Sequence, residues 1–419
     1  MKEVYMQAIK KFLKPIIVFF FNLYFHSDEK SIAFVRKILR KENIDRCFIS
    51  PQELETILAT QVQDEYDFSQ AKAAKKLVVF FEITPYRICG GQMSIFSLCK
   101  YSKEILHDDT AVLMSTIPGK YTYSHNNFFE NNIDVCRWEQ IRELLKEKQH
   151  VILHIPEVDI IHPETGEEVM YNALRDDFEL LKSIPDLHIN IMHQNIELMP
   201  PREKFSWLYS LTDNITITVG HKASATQQVC DDLAAPMHLW PAYYDLGKLK
   251  KIPLQKKEKL ILLSADLQRT TLNSKIEFIK KINTAGYRVF TILNLKFQDF
   301  MRLSAAATAV VTFGEGFDGY LNNPPQTGTL SFAVYNDEFF PSKKWKTLPN
   351  IYSSYDEMME HFVDDIQEFT TNEALYTDTI STHVKWLDEL YNKNEYINRL
   401  RLFYKKAYDF YPNLKKRKN

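Results

Sequence analysis

The feature that most restricts what this chain can fold into is an alternation. Short, unbroken apolar runs are each followed by an amphipathic stretch long enough for a helix. Leu77–Ile83 reads LVVFFEI, the pattern of a strand covered by helices on both faces of a parallel sheet. It ends at Thr84-Pro85, and Gly90-Gly91 opens a helix expected over about 93–105. Strands at 110–115, 151–155, 189–192 and 215–219 follow, separated by helices near 138–149, 172–183, 202–211 and 222–233. Parallel strands need crossover connections, and helices of this length supply them. The segment 234–254, with Pro236, Pro241 and Pro253, reads as a linker. The alternation then restarts with strands at 260–264, 287–293, 309–313 and 330–335 and helices at 274–285 and 297–306. Helices near 355–370, 376–391 and 394–408 finish the chain. The expected class is α/β with two tandem Rossmann-like domains, at 76–240 and 255–354. A helical lead-in occupies 1–75, and C-terminal helices with a basic tail occupy 355–419.

A chain of 419 residues is long enough for two such cores. Its net charge of −2 gives no general attraction to nucleic acid. Five cysteines without a C-x-x-C argue for reduced thiols in a cytoplasmic protein and against a zinc site or disulfide framework. Near the N-terminus Lys10, Lys11 and Lys14 precede the Phe-rich run Pro15–Phe25. That run is short of the roughly 20 residues a membrane span needs, and it lacks a signal-peptide cleavage site. Two readings stay open: a helix in the membrane interface, or one buried against the protein. The tail Lys415–Lys418 adds to the first.

In open α/β sheets ligands bind at the carboxyl ends of the strands, so the residues there are the candidates. In the first domain these are Gly90, Gly91 and Gln92, then His154 and Glu157, His193 and Gln194, and His221. Gly90-Gly91 leaves amide N–H groups suited to an anion or a sugar hydroxyl. It is not G-x-G-x-x-G, and there is no P-loop, so a nicotinamide, flavin or P-loop nucleotide site is not indicated. The second domain offers Ser264, Asp266, Arg269 and Lys275, then Gly314-Glu315-Gly316-Phe317-Asp318-Gly319. Three glycines in six positions allow a tight turn and a close approach to a ligand. Arg269 and Lys275 are cations able to neutralise a diphosphate.

Four passages carry a resemblance to a known family. They are VFFEITPYRICGGQMS, ITVGHKASATQQVCDDLAAPMHLWPAYYD, LILLSADLQRTTLNSKIEFIKKI and FGEGFDGYLNNPPQTGTLSFAVYN. Together they make residues 76–340 similar to the GT-B glycosyltransferases, and the second half looks like their retaining, nucleotide-sugar-dependent branch. The resemblance implies a hexosyltransferase of bacterial surface-polysaccharide synthesis (capsule or lipopolysaccharide), with two sheets facing one cleft. The sugar would pass from a nucleotide sugar, the co-substrate, to a glycan or lipid-linked acceptor at the inner face of the cytoplasmic membrane. It assigns Glu315 to the donor sugar or ribose, with Gly314, Gly316, Asp318, Gly319 and Asn323 around it. Lys275 matches the family's lysine, and Arg269 more loosely its arginine. His154 and His193 stand as catalytic candidates, and Gly90, Gly91 and Gln92 as the acceptor side. No cofactor is expected, and with no D-x-D in the sequence no metal either. One departure matters: the family's second glutamate falls at position 323, which here is Asn323. The alternative this permits is a non-catalytic GT-B-like accessory or carbohydrate-binding subunit.

Overall fold

The computed structural model describes residues 66–413, apart from 83–89, 107–108, 119–125, 127, 164, 196–197, 248, 267–269 and 294. The Phe-rich run, most of the helical lead-in, the basic tail, Cys47, Cys89 and Arg269 therefore lie outside the described residues. The chain divides into two compact units.

The first unit carries seven parallel strands: β1 (Lys76–Phe81), β2 (Thr110–Ser115), β3 (Val135–Cys136), β4 (His150–Pro156), β5 (Asp186–His193), β6 (Ile215–Val219) and β7 (Met237–Leu239). Their order is β3-β2-β1-β4-β5-β6-β7. The direction of winding reverses between β1 and β4, which makes the crevice above their carboxyl ends the expected ligand position. Leu77, Val79, Phe80 and Phe81 have no exposed surface, as a strand covered on both faces requires.

The second unit carries β8 (Glu258–Ser264), β9 (Arg288–Ile292), β10 (Ala307–Val311), β11 (Leu330–Val334) and β12 (Ile351–Tyr352). Its order is β12-β11-β10-β8-β9, again all parallel. Here the winding reverses between β8 and β10. Helices Leu272–Thr284 and Tyr355–Thr371 pack Phe278, Phe362 and Ile366 onto this sheet. Each unit is thus a doubly wound, all-parallel α/β sheet.

Three short strands escape sequence reading. β3, β7 and β12 have only two or three residues each, too few for a period to register. β7 lies inside the stretch read as a linker. It is completed by the C-terminal segment, since Met237 N–H donates to Phe410 O at 2.9 Å and Phe410 N–H donates back at 3.1 Å. The C-terminal block expected over 355–419 is accordingly divided. Residues up to Glu389 belong with the second unit, and the chain from Leu390 returns to the first. There Phe403, on helix Lys393–Tyr404, stacks on Trp240 at 4.7 Å and on His188 at 5.6 Å. Burying such an aromatic contributes about 1.5–3 kcal/mol, enough to hold the returning helix in place.

Candidate functional site

At the switch point of the second unit, Phe313 N–H donates to Ser264 Oγ at 2.8 Å, tying the end of β10 to the end of β8. The chain then turns through Gly314-Glu315-Gly316. Gly316 has φ +88°, and a Cβ there would collide with Val334 O and lie 3.0 Å from the Phe340 ring. Only glycine takes this position without strain. Phe317 is clamped between Phe340 and Trp345, with ring centroids 5.2 and 5.0 Å away. From Thr312 to Phe317 every residue is buried except Glu315, which is partly exposed. The turn is anchored on both sides of one partly exposed glutamate.

Asp318 has a different task. Its Oδ1 accepts from Tyr320 N–H at 2.9 Å and Leu321 N–H at 3.0 Å, capping helix Gly319–Asn322. Its Oδ2 accepts from the Thr312 hydroxyl at 2.5 Å. Enclosure of the carboxyl raises it to about 6, against the lowering effect of the Thr312 bond. Gly314 lets two acids close in: a Cβ there would lie 3.1 Å from Asp318 Oδ2 and 3.2 Å from Asp266 Oδ2. Gly319 begins the capped helix, and Asn323 is buried just after it.

Lys275 has no exposed surface. Its ammonium donates to Ser264 O and to Asp266 O, the latter at 3.1 Å, and sits 4.7 Å over the Phe313 ring. Burial pushes it down to about 8, with Asp266 opposing. The expected free cation is thus a brace joining the end of β8 to the loop that follows.

At the switch point of the first unit, Gly90 and Gly91 open helix Gly90–Ile105, and a Cβ at Gly90 would meet nothing within 4 Å. Gln92 is buried and donates from Nε2 to Glu82 Oε1 at 3.2 Å. Asn126 Nδ2, on the loop after β2, donates to the same oxygen at 3.2 Å. Glu157 follows β4 directly, and its Oε1 accepts from the N–H groups of Gln194 and Asn195, each at 2.9 Å. Both acids are almost wholly buried. Burial raises Glu157 to about 7 and Glu82 well above the carboxylate range, with Asp159 adding to the effect on Glu82. Glu82 and Asn126 were missed by sequence reading. The available signal was a lone acid ending an otherwise apolar strand, VVFFE.

The two histidines separate. His193 is the last residue of β5 and stands at the carboxyl edge, buried and pushed down to about 4. His154 corrects the expectation of a strand-end position. It pairs in register with Phe80 and Asn190 inside the sheet, stacks on Phe80 at 4.2 Å, and packs against Trp240, Phe403 and Tyr404. It has no exposed surface, because its side chain lies on the face that the C-terminal helix covers.

No family model matches the chain, and no curated protein matches it in sequence. Solved structures do. A glycosyltransferase from Rickettsia africae ESF-5 matches at 8% identity and TM-score 0.45, over 80% of this chain and 98% of that one. Trehalose-6-phosphate synthase OtsA matches at 12% identity and TM-score 0.43, over 81% and 100%. A chain of the accessory secretory protein 1, 2 and 3 structure from Streptococcus pneumoniae matches at 13% identity and TM-score 0.39, over 64% of this chain and 57% of that one. The present chain thus spans little more than half of that last match. Among the described residues no group of three His, Cys, Asp or Glu is placed to hold a metal ion, and no helix is long and apolar enough to cross a membrane.

Proposed function

We propose that the chain is a hexosyltransferase: the second unit takes a nucleotide sugar at the ends of β8 and β10, and the first takes a glycan or lipid-linked acceptor. One observation carries the reading. Glu315 is the single partly exposed residue in a buried, glycine-anchored turn at a topological switch point. Donor hydroxyls need such an acceptor. In the reaction an acceptor hydroxyl attacks the anomeric carbon as the bond to the diphosphate breaks. Its proton leaves with the phosphate or with solvent. Glu315 holds donor hydroxyls, and Lys275 keeps the loop after β8 in place. Retention, and transfer without a metal, belong to the proposal through the family resemblance and the lack of D-x-D. The test is a screen of UDP, GDP, ADP, TDP and CMP sugars by thermal shift, followed by transfer assays on whichever donor binds.

A specific observation favours the second reading, a non-catalytic carbohydrate-binding subunit. Position 323 is a buried asparagine where the resembled family has glutamate, and Lys275 is already engaged by its own backbone. Binding of no nucleoside diphosphate would select it. The proposed location is cytoplasmic, peripheral at the inner membrane face through the Phe-rich run and the basic tail. Interfacial basic residues contribute about 1 kcal/mol each near anionic lipid, so binding to anionic liposomes at low salt tests it.

A further inference from the structure

The carboxyl edge of the first sheet holds polar groups that the folded chain does not use. Glu82 directly follows β1 and Glu157 directly follows β4, so the two flank the switch point, and neighbouring parallel strands run about 4.8 Å apart. Each acid is anchored through one oxygen: Glu82 Oε1 by Gln92 and Asn126, Glu157 Oε1 by two backbone N–H groups. Each leaves the other oxygen, Oε2, buried and without a hydrogen-bond partner among the described residues. Gln194 Oε1, beside the Glu157 anchor, is likewise buried and unpartnered. Glu82 is 3% exposed, Glu157 1% and Gln194 8%. Buried polar atoms are nearly always paired in folded proteins, and leaving one unpaired is costly. Three at one sheet edge mark a place where a ligand completes the bonding.

We propose that this edge is the acceptor subsite, and that it selects an uncharged, hydroxyl-bearing sugar ring over a phosphorylated or uronic one. The inference deepens the proposed function and rests on the first unit being its acceptor half. The oxygens at the edge accept hydrogen bonds, which sugar hydroxyls supply. A phosphate or carboxylate brings only acceptors and like charge to the same place, and like-charge juxtaposition is strongly discriminating. Burial raises Glu82 well above the ordinary carboxylate range, and in its protonated form it adds one O–H donor, which a ring or hydroxyl oxygen satisfies.

The experiment uses the full chain and saturation-transfer NMR at pH 7.5. The probes are neutral methyl hexopyranosides, hexose 6-phosphates and hexuronic acids. The neutral glycosides are expected to bind about tenfold or more tightly than either acidic class, a difference of about one order of magnitude in Kd. Glu157→Gln keeps an oxygen for the two backbone N–H groups while removing the charge, so it should fold normally and reduce the discrimination to less than about threefold. A merely structural glutamate would leave the discrimination untouched. Equal binding of acidic and neutral probes, binding of neither, or unchanged discrimination in a folded Glu157→Gln each overturns the proposal. A chain that binds a nucleoside diphosphate but no glycoside refutes this subsite and leaves the donor reading standing. The reverse result refutes the donor reading and keeps the subsite.

Discussion

The two sheets of this protein reach their switch points with opposite chemistry. Above β8 and β10 the backbone is shaped first: Gly314 and Gly316 permit a turn that larger residues would block, and Glu315 within it is partly exposed. Above β1 and β4 acids are drawn inside instead, with burial raising both Glu82 and Glu157. The contrast teaches that an open sheet edge can carry function in two ways. It can leave an acid partly exposed on a glycine-held turn, or it can enclose acids whose unused oxygens await a partner.

The sharpest way to break the comparison is at Glu315. Glu315→Gln should keep the melting temperature and lower transfer by about 10²–10³, the effect of removing one interaction made chiefly in the transition state. Normal transfer by a folded variant would reduce the turn to a connection. Glu157 provides the counterpart. Its folded value of about 7 against the ordinary 4.5 is a difference of about 2.5 pH units, or about 3 kcal/mol. The acid is raised, so the folded state keeps its proton while the unfolded state loses it. Stability should therefore fall as pH rises from about 4.5 to 7 and stay lower above that. Urea unfolding of wild type and Glu157→Gln between pH 4.5 and 8 should diverge across that window by up to this amount. Parallel curves would mean that Glu157 ionises normally.

Smaller effects probe the braces. Gly316→Ala should cost about 1–3 kcal/mol from its left-handed backbone alone, and the approach of Val334 O adds to this. A variant as stable as wild type would show that the turn relaxes. Lys275→Ala should cost about 1–3 kcal/mol by leaving the Ser264 and Asp266 carbonyls unsatisfied. It should also weaken nucleoside diphosphate binding, since the loop it braces loses its position. An intact melting temperature combined with weakened binding would mean that the lysine serves the ligand more than the loop. The smallest expected effect is none: EDTA should leave transfer unchanged, and rescue by magnesium or manganese would overturn the metal-free reading.

Much of this molecule is legible one-dimensionally because the signals are local. Continuous apolar runs place the long strands, and helices Phe297–Ala306 and Tyr355–Thr371 fall within a residue of their expected limits. The glycines around Glu315 mark its turn because a positive φ restricts residue choice at the position itself. Side-chain surroundings are another matter, since they depend on what arrives from far along the chain. His154 and His193 look alike in sequence, each close to the end of an apolar run. Only the return of Phe403 and Tyr404, some 250 residues later, encloses His154 and leaves His193 at the edge. Lys275 reads as a free cation until the folded loop brings two carbonyls to it. The acids at the first sheet's edge follow the same logic. Their residue types are visible in VVFFE and HIPE, but their burial and their unpartnered oxygens exist only once loops and strand ends meet. The sequence by itself determined the alternating elements, the two α/β units and the glycine-held turn, because these follow from local propensity and periodicity. The tertiary structure alone decided which polar groups are neutral, which are braced and which remain unsatisfied, because desolvation and hydrogen bonding are properties of packed neighbours.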